Sequence, residues 1–206
     1  MRDEYAGYDT VLDARTCPGR TAAGCLAHAR RKFDELSRAN ASVMADEALQ
    51  RIARIYRVER ELAGCSSSER LQQRQALSKP LWEELRLWLQ LERGRVPDGG
   101  ATAQAIDYCL KNWAALTRNL HDGDAPVDNS HLENQIRPWA MGRRAWLFTG
   151  SELAGQRAAI VMSLVQSAKL NGHDPHVYLN DVLQRLPSHR ASEIEELLPH
   201  RWQPPS

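Results

Sequence analysis

The sequence predicts a mainly helical protein with a small β component, and three observations carry that prediction. Apolar residues recur at three- and four-residue spacing through most of the chain. Glycine, proline and serine cluster at only a few places between those runs. Strand-like text is confined to two short aromatic stretches, one near the start and one late in the chain. At 206 residues there is room for one large domain or two small ones, and 42% hydrophobic residues supply enough apolar surface for a core.

The elements follow in order. MRDEYAGYDTVL is short, aromatic and turn-bearing, TAAGCLAH is a brief apolar run, and ARRKFDELSRAN reads as a helix. A short strand feeding a helix is the expected pattern. From about Ser42 to His121 the text is helical. Ile52, Ile55, Tyr56 and Leu62 share one face, Trp82, Leu85 and Leu89 a second, and Ile106, Leu110 and Trp113 a third. AGCSSSE and RGRVPDGGAT break these runs, and Pro80 is expected to start or kink a helix. Trp82, Trp88 and Trp113 are read as core anchors.

The last third restarts the pattern. LAGQRAAIVMSLVQSAKLNG is apolar over so wide a face that burial on most sides is expected, with Gly172 at its C-terminal stop. In HDPHVYLNDVLQRL, Asp174 can cap a helix and Pro175 suits its first position. Leu179, Val182, Leu183 and Leu186 then line one face, and EIEELLP forms a final amphipathic turn.

Bulk properties narrow the partners. A net charge of +1 does not announce a nucleic-acid ligand, so any such argument must be local. Cys17, Cys25, Cys65 and Cys109 are spaced too irregularly for a zinc site, and reduced, mostly buried thiols are expected. No apolar run has membrane length and no signal peptide is visible, so a soluble, cytoplasmic bacterial protein is the expectation.

The densest chemistry lies in PVDNSHLENQIRPWAMGRRAWLFTGS, Pro126 to Ser151. Its plain reading is structural. Ser130 and Glu133 match a capping box, the arginines could be a solvated face, and RRAWLF could be an ordinary edge strand. Its chemical reading rests on the whole arrangement. Carboxylates are the hard ligands magnesium takes, and two-metal phosphoryl transfer gathers several from different elements. Between Arg137 and Arg157 four arginines face the single acid Glu152, a balance suited to a phosphate backbone.

From VDNSHLENQIRPWAMGRRAWLFTGSELAGQRAAIVMSLVQSAKLNGHDPHVYLNDVLQRL the chain resembles the IS66 family of insertion-sequence transposases. RDEYAGYDTVL, GCLAHARRKFDEL and the tail EIEELLPHRW agree with it in order. The resemblance implies a DDE-type transposase: the C-terminal part of a ribonuclease-H-like α/β core, interrupted by a large helical insertion. Residues 1–41 would be partial core, 42–121 the insertion, 122–172 the core's return with the glutamate helix and a short strand, and 173–206 a C-terminal helical segment.

Asp3 falls where the family's second catalytic aspartate stands and Glu133 where its catalytic glutamate stands. Both would ligate a two-ion magnesium site. Asp128 and Asn129 match the acid–amide pair ahead of the glutamate. Arg30, Arg31, Arg137, Arg143 and Arg144 match basic positions expected near DNA, and His28 lies in the same GC-AH-RR motif. The implied partners are insertion-sequence ends and target DNA, an upstream fragment or intact transposase, and further copies of the chain.

The family's first aspartate belongs to a strand upstream of RDEYAGY, and nothing precedes Met1 in this sequence. The expectation is therefore a truncated transposase, or one half of a split reading frame, inactive alone in cleavage and strand transfer. The alternative is a non-catalytic helical remnant that binds DNA or intact transposase.

Overall fold

A computed structural model describes residues 18–40, 42–146 and 150–204, excluding the side chains of residues 40 and 143–146. The described chain is mostly helical, as expected. Among the described residues β-type pairing is limited to an isolated bridge at Gly24, and the strand expected near the N-terminus lies outside them. The chain divides into two compact units, Met1–His131 and Leu132–Ser206.

The first unit holds α1 (Leu26–Asn40), α2 (Val43–Glu61), α3 (Ser67–Gln73), a π-helical turn (Arg74–Ser78), α4 (Lys79–Arg93), α5 (Ala101–Lys111), the single turn α6 (Trp113–Leu116) and a 3-10 turn (Arg118–Leu120). The predicted breaks are its joints. Ser66 and Glu69 close a reciprocal capping box at the start of α3, satisfying backbone donors that a helix start leaves open. Pro80 sits in the first turn of α4, directly after the π-helical turn, where it can donate no backbone bond to the preceding turn.

The expected stripes converge on one core, in which Ile52, Ile55, Trp82, Leu89 and Ile106 are buried beside Phe33 of α1. Trp82 meets Trp113 edge to face, with ring centroids 5.5 Å apart. Trp88 and Trp113 occupy the rim instead, half-buried beneath the guanidinium groups of Arg51 and Arg86. Cys25 and Cys109 are buried free thiols, and burial pushes Cys109 up to about 12. Cys65 is half-buried, and Cys17 lies outside the described residues.

The second unit contains α7 (Ser130–Trp146, which starts just ahead of the boundary), α8 (Glu152–Leu170), α9 (Pro175–Arg185) and two 3-10 turns (Leu186–Ser188, Ala191–Leu197). Here the sequence reading needs correction. Arg143–Trp146, read as the start of a strand, continue α7 without a break. Gly142 does not end the helix, and alternation over so few residues does not fix a period of two. Pro138 lies inside this helix and removes one backbone bond from it. Leu147–Thr149 lie outside the described residues.

The expected burial of α8 also fails. Within its unit Ala168 and Leu164 face the small core, whereas Leu153 is 55% exposed and Ile160 61% exposed. A helix apolar around most of its circumference needs cover on several sides, and the small core covers one. On α9 Leu183 is 65% exposed, and Leu186 at the start of the next 3-10 turn is exposed too. Tyr178 takes the central position because its hydroxyl donates to the Leu197 carbonyl at 2.8 Å and its ring packs on Trp202. Val182 is buried beside it, and Leu179 partly so.

The predicted punctuation is present. Gly172 adopts φ +78° after α8, donating to the Lys169 carbonyl while His173 donates to Ala168, the paired bonds of a Schellman stop. Asp174 accepts the N–H groups of His176 and Val177 at 2.8 and 3.0 Å, with Pro175 next in line.

Candidate active site and nucleic-acid contacts

The segment that leads to Glu133 is fixed by contacts its sequence did not advertise. Leu26 N–H donates to the Val127 carbonyl at 3.1 Å, which lays the entry of α1 alongside residues 127–129. The Asn129 N–H then points at the Cys25 sulfur, 3.5 Å away across 104 positions of sequence. The motifs GCLAH and VDNS, read separately along the chain, therefore meet.

Asp128 is the hinge of this corner. One oxygen accepts the Ser130 N–H at 3.0 Å, a local turn that launches α7, and the other accepts the Tyr56 hydroxyl at 2.7 Å. Tyr56 comes from α2. Burial, followed by the neighbouring Asp128 carboxylate, holds its phenol well above the usual tyrosine range, and the more distant Arg30 charge works weakly the other way. Burial likewise raises the Cys25 thiol, partly offset by the Asn129 N–H. The side-chain oxygen of Asn129 is buried without a hydrogen-bond donor among the described residues.

The plain capping-box reading is modified by this corner. Ser130 is already the first helical residue, and Asp128 takes its N–H. Glu133 follows in the first turn of α7, half-buried, where the positive end of the helix favours an anion.

Asp3 lies outside the described residues, so its separation from Glu133 is not described. Arg30 and Arg31 are exposed on α1, and Arg137 is exposed on α7. Arg143 and Arg144 belong to the last part of α7, with side chains outside the description. His28 is half-buried in the first turn of α1, and His131 is exposed at the start of α7.

Among the described residues no group of three His, Cys, Asp or Glu is placed to hold a metal ion. Asp128 already has both oxygens engaged, one by the Tyr56 hydroxyl and one by the Ser130 N–H. Among the described residues no helix is long and apolar enough to cross a membrane.

Two groups escaped the sequence reading. Tyr56 was read only as a core residue, and Cys25 only as a buried thiol. Their roles depend on partners 72 and 104 positions away, beyond the reach of any local pattern.

Comparison with known proteins gives concordant matches. The family model described as Transposase IS66 family matches residues 1–157, and the model of the IS66 C-terminal element matches residues 163–200. Three proteins of Sinorhizobium fredii are similar over nearly the whole chain. Uncharacterized protein y4hP is 37% identical over 97% of this chain and 39% of its own length. Uncharacterized protein y4jD is 36% identical over 97% of this chain and 40% of its own. Uncharacterized protein y4qI is 36% identical over 98% of this chain and 38% of its own. The chain thus spans about two fifths of the length of these relatives. No solved structure matches.

Proposed function

The chain belongs to the IS66 family of transposases, and from that premise we propose that it carries the glutamate side of a DDE catalytic centre. The observation that carries the reading is the corner before Glu133. An acid–amide pair, locked by Tyr56 and Cys25, turns the chain into a helix whose first turn presents the motif's glutamate. This is the kind of rigid support that a metal-ligating carboxylate needs.

In this reading Asp3 and Glu133 are two ligands of a two-ion magnesium site that takes a third carboxylate. DDE transposases use divalent metal, which supplies Lewis acidity at a scissile phosphate. The described residues do not complete such a centre, so the part assigned to this chain is positional. Glu133 is held ready, and Arg30, Arg31, Arg137, Arg143 and Arg144 approach the DNA backbone as point charges and forks. Residues 42–121 are the helical insertion in a ribonuclease-H-like core, to which 1–41 and 122–172 belong, and 173–206 form the C-terminal segment. In this reading cleavage and joining of DNA require that third carboxylate.

The test is a strand-transfer assay on element-end DNA with magnesium or manganese. It compares the chain alone, the chain supplemented with a fragment of a longer relative bearing the upstream aspartate, and the supplemented Glu133→Gln variant. Product is expected only from the supplemented wild type. Product from the chain alone would overturn the divided site, and product that survives Glu133→Gln would remove Glu133 from it.

A second reading draws on the absence of a three-ligand cluster among the described residues. It makes the chain a non-catalytic module that binds element ends or intact transposase. Salt-dependent DNA binding with no product under supplementation would favour it.

A further inference from the structure

We propose that Arg74 is a positioning residue for the candidate site, acting through the loop that delivers Asp128 and Glu133. The inference rests on the transposase reading for its function, but its structural content stands apart from it. Arg74 is 2% exposed, in a chain region otherwise read as inert insertion. It opens the π-helical turn Arg74–Ser78, a widened geometry that recurs at functional positions.

A guanidinium this deep must find a partner for nearly every donor. Its Nε and Nη2 fork onto the Glu59 carboxylate at 2.9 and 2.6 Å. Its Nη1 points the other way, into the loop after the 3-10 turn. There it donates to the carbonyls of Asn119, Asp122, Gly123 and Ala125 at 3.1, 3.0, 3.3 and 3.0 Å. Four carbonyls within seven residues converge on one nitrogen, so the loop is wrapped around the cation. The Asn119 amide closes the ring by donating to Glu59 at 3.3 Å.

The neighbours of Arg74 tighten the same loop. Arg70 donates to the Gly123 carbonyl at 3.0 Å, and Gln75 donates to that of Leu120. Gly123 presses so closely on the start of α3 that a Cβ there would fall 2.0 Å from the Ser67 carbonyl oxygen. Three side chains of one helical stretch thus template residues 119–125. Two residues beyond the loop's end, Val127 pairs with Leu26, and Asp128 follows at once on Tyr56. The clamp fixes where the Asp128 corner begins, and so where α7 starts.

A merely structural arginine would hold stability and nothing more. A positioning arginine also holds the Asp128–Tyr56 contact, which a spectroscopic probe can read. Arg74→Lys keeps a charge opposite Glu59 but cannot fork, and Gln75→Ala is a milder break in the same clamp. In the full chain, Arg74→Lys is expected to speed amide exchange at residues 119–130 roughly tenfold, leaving α5 and α9 unchanged. The ring-carbon resonances of Tyr56 are expected to move from their wild-type positions at neutral pH, because its contact with Asp128 loosens. Gln75→Ala should show the same changes at smaller size.

In the supplemented strand-transfer assay, Arg74→Lys should lower kcat with KM for element-end DNA unchanged. Unaltered exchange at 119–130 in both variants, or unmoved Tyr56 ring resonances, would overturn the clamp. So would a loss of activity that only tracks the folded fraction. Wild-type protein without strand transfer would defeat the transposase reading instead, and exchange would still decide the clamp.

Discussion

The two units of this chain solve different problems. In the first, the described helices bury Trp82, Phe33 and Ile106 in one continuous core and satisfy a buried arginine with a carboxylate and four carbonyls. In the second, Tyr178, Val182, Trp202 and two further residues make up the small buried core, while apolar side chains of α7, α8 and α9 remain exposed. The corner at Asp128 belongs to the first, and Glu133 to the second. Packing is thus unequal along the chain, and the Asp128 corner lies in the better-packed unit.

The largest expected effect breaks the chemical half. Glu133→Gln should reduce strand transfer by the supplemented protein to background without changing helical content, measured by product formation and circular dichroism. A loss of structure in parallel would mean that the glutamate serves the fold.

Next in size is Trp82→Ala. It removes the central side chain of the first core and should destabilise by about 3–5 kcal/mol. Denaturant unfolding with residue-resolved exchange should locate the damage in α2, α4 and α5, and leave α9 protected. Equal loss in α9 would show that the two units unfold as one.

Tyr56→Phe sharpens the boundary between them. It removes the donor to Asp128 and should destabilise by about 1–2 kcal/mol. The pH dependence has a defined sign. Tyrosine ionises near 10.0 when unfolded, whereas folded Tyr56 stays protonated to higher pH because of burial and Asp128. Its contribution is therefore whole below about pH 10 and lost as pH rises toward the folded value. Unfolding midpoints should fall more steeply above pH 10 in the wild type than in Tyr56→Phe. Tyr178 is also raised by burial but is common to both proteins, so the difference isolates Tyr56.

The smallest effect is expected on the open face of α8. Ile160→Ser should change stability by no more than about 0.5 kcal/mol, because the side chain is already 61% exposed. A large loss in denaturant unfolding would show that this face is covered in solution.

Much of the first unit was legible because periodicity and burial agree there. Ile52, Ile55, Trp82, Leu85, Leu89 and Ile106 were read as core from spacing alone, and all are buried. Pro80, Gly172 and Asp174 were legible because their backbone chemistry is local. The second unit misled the same reasoning. Hydrophobicity around α8 gives the cover it needs but not whether that cover is present, and aromatic content in RRAWLF looked strand-like where Arg143–Trp146 stay helical. The Glu133 motif was legible as text, through its resemblance to a family. The supports of its neighbour Asp128 were not, because Tyr56 and Arg74 act on residues between 45 and 72 positions away.

The most direct test of the divided site is to put a reporter metal where magnesium is expected. Iron(II) can replace magnesium in the supplemented protein bound to element-end DNA. With peroxide and ascorbate added, it cuts the polypeptide beside its ligands. The account predicts a cut next to Glu133 that disappears in Glu133→Gln and is competed away by magnesium. A metal-dependent cut elsewhere, with none at Glu133, would contradict it.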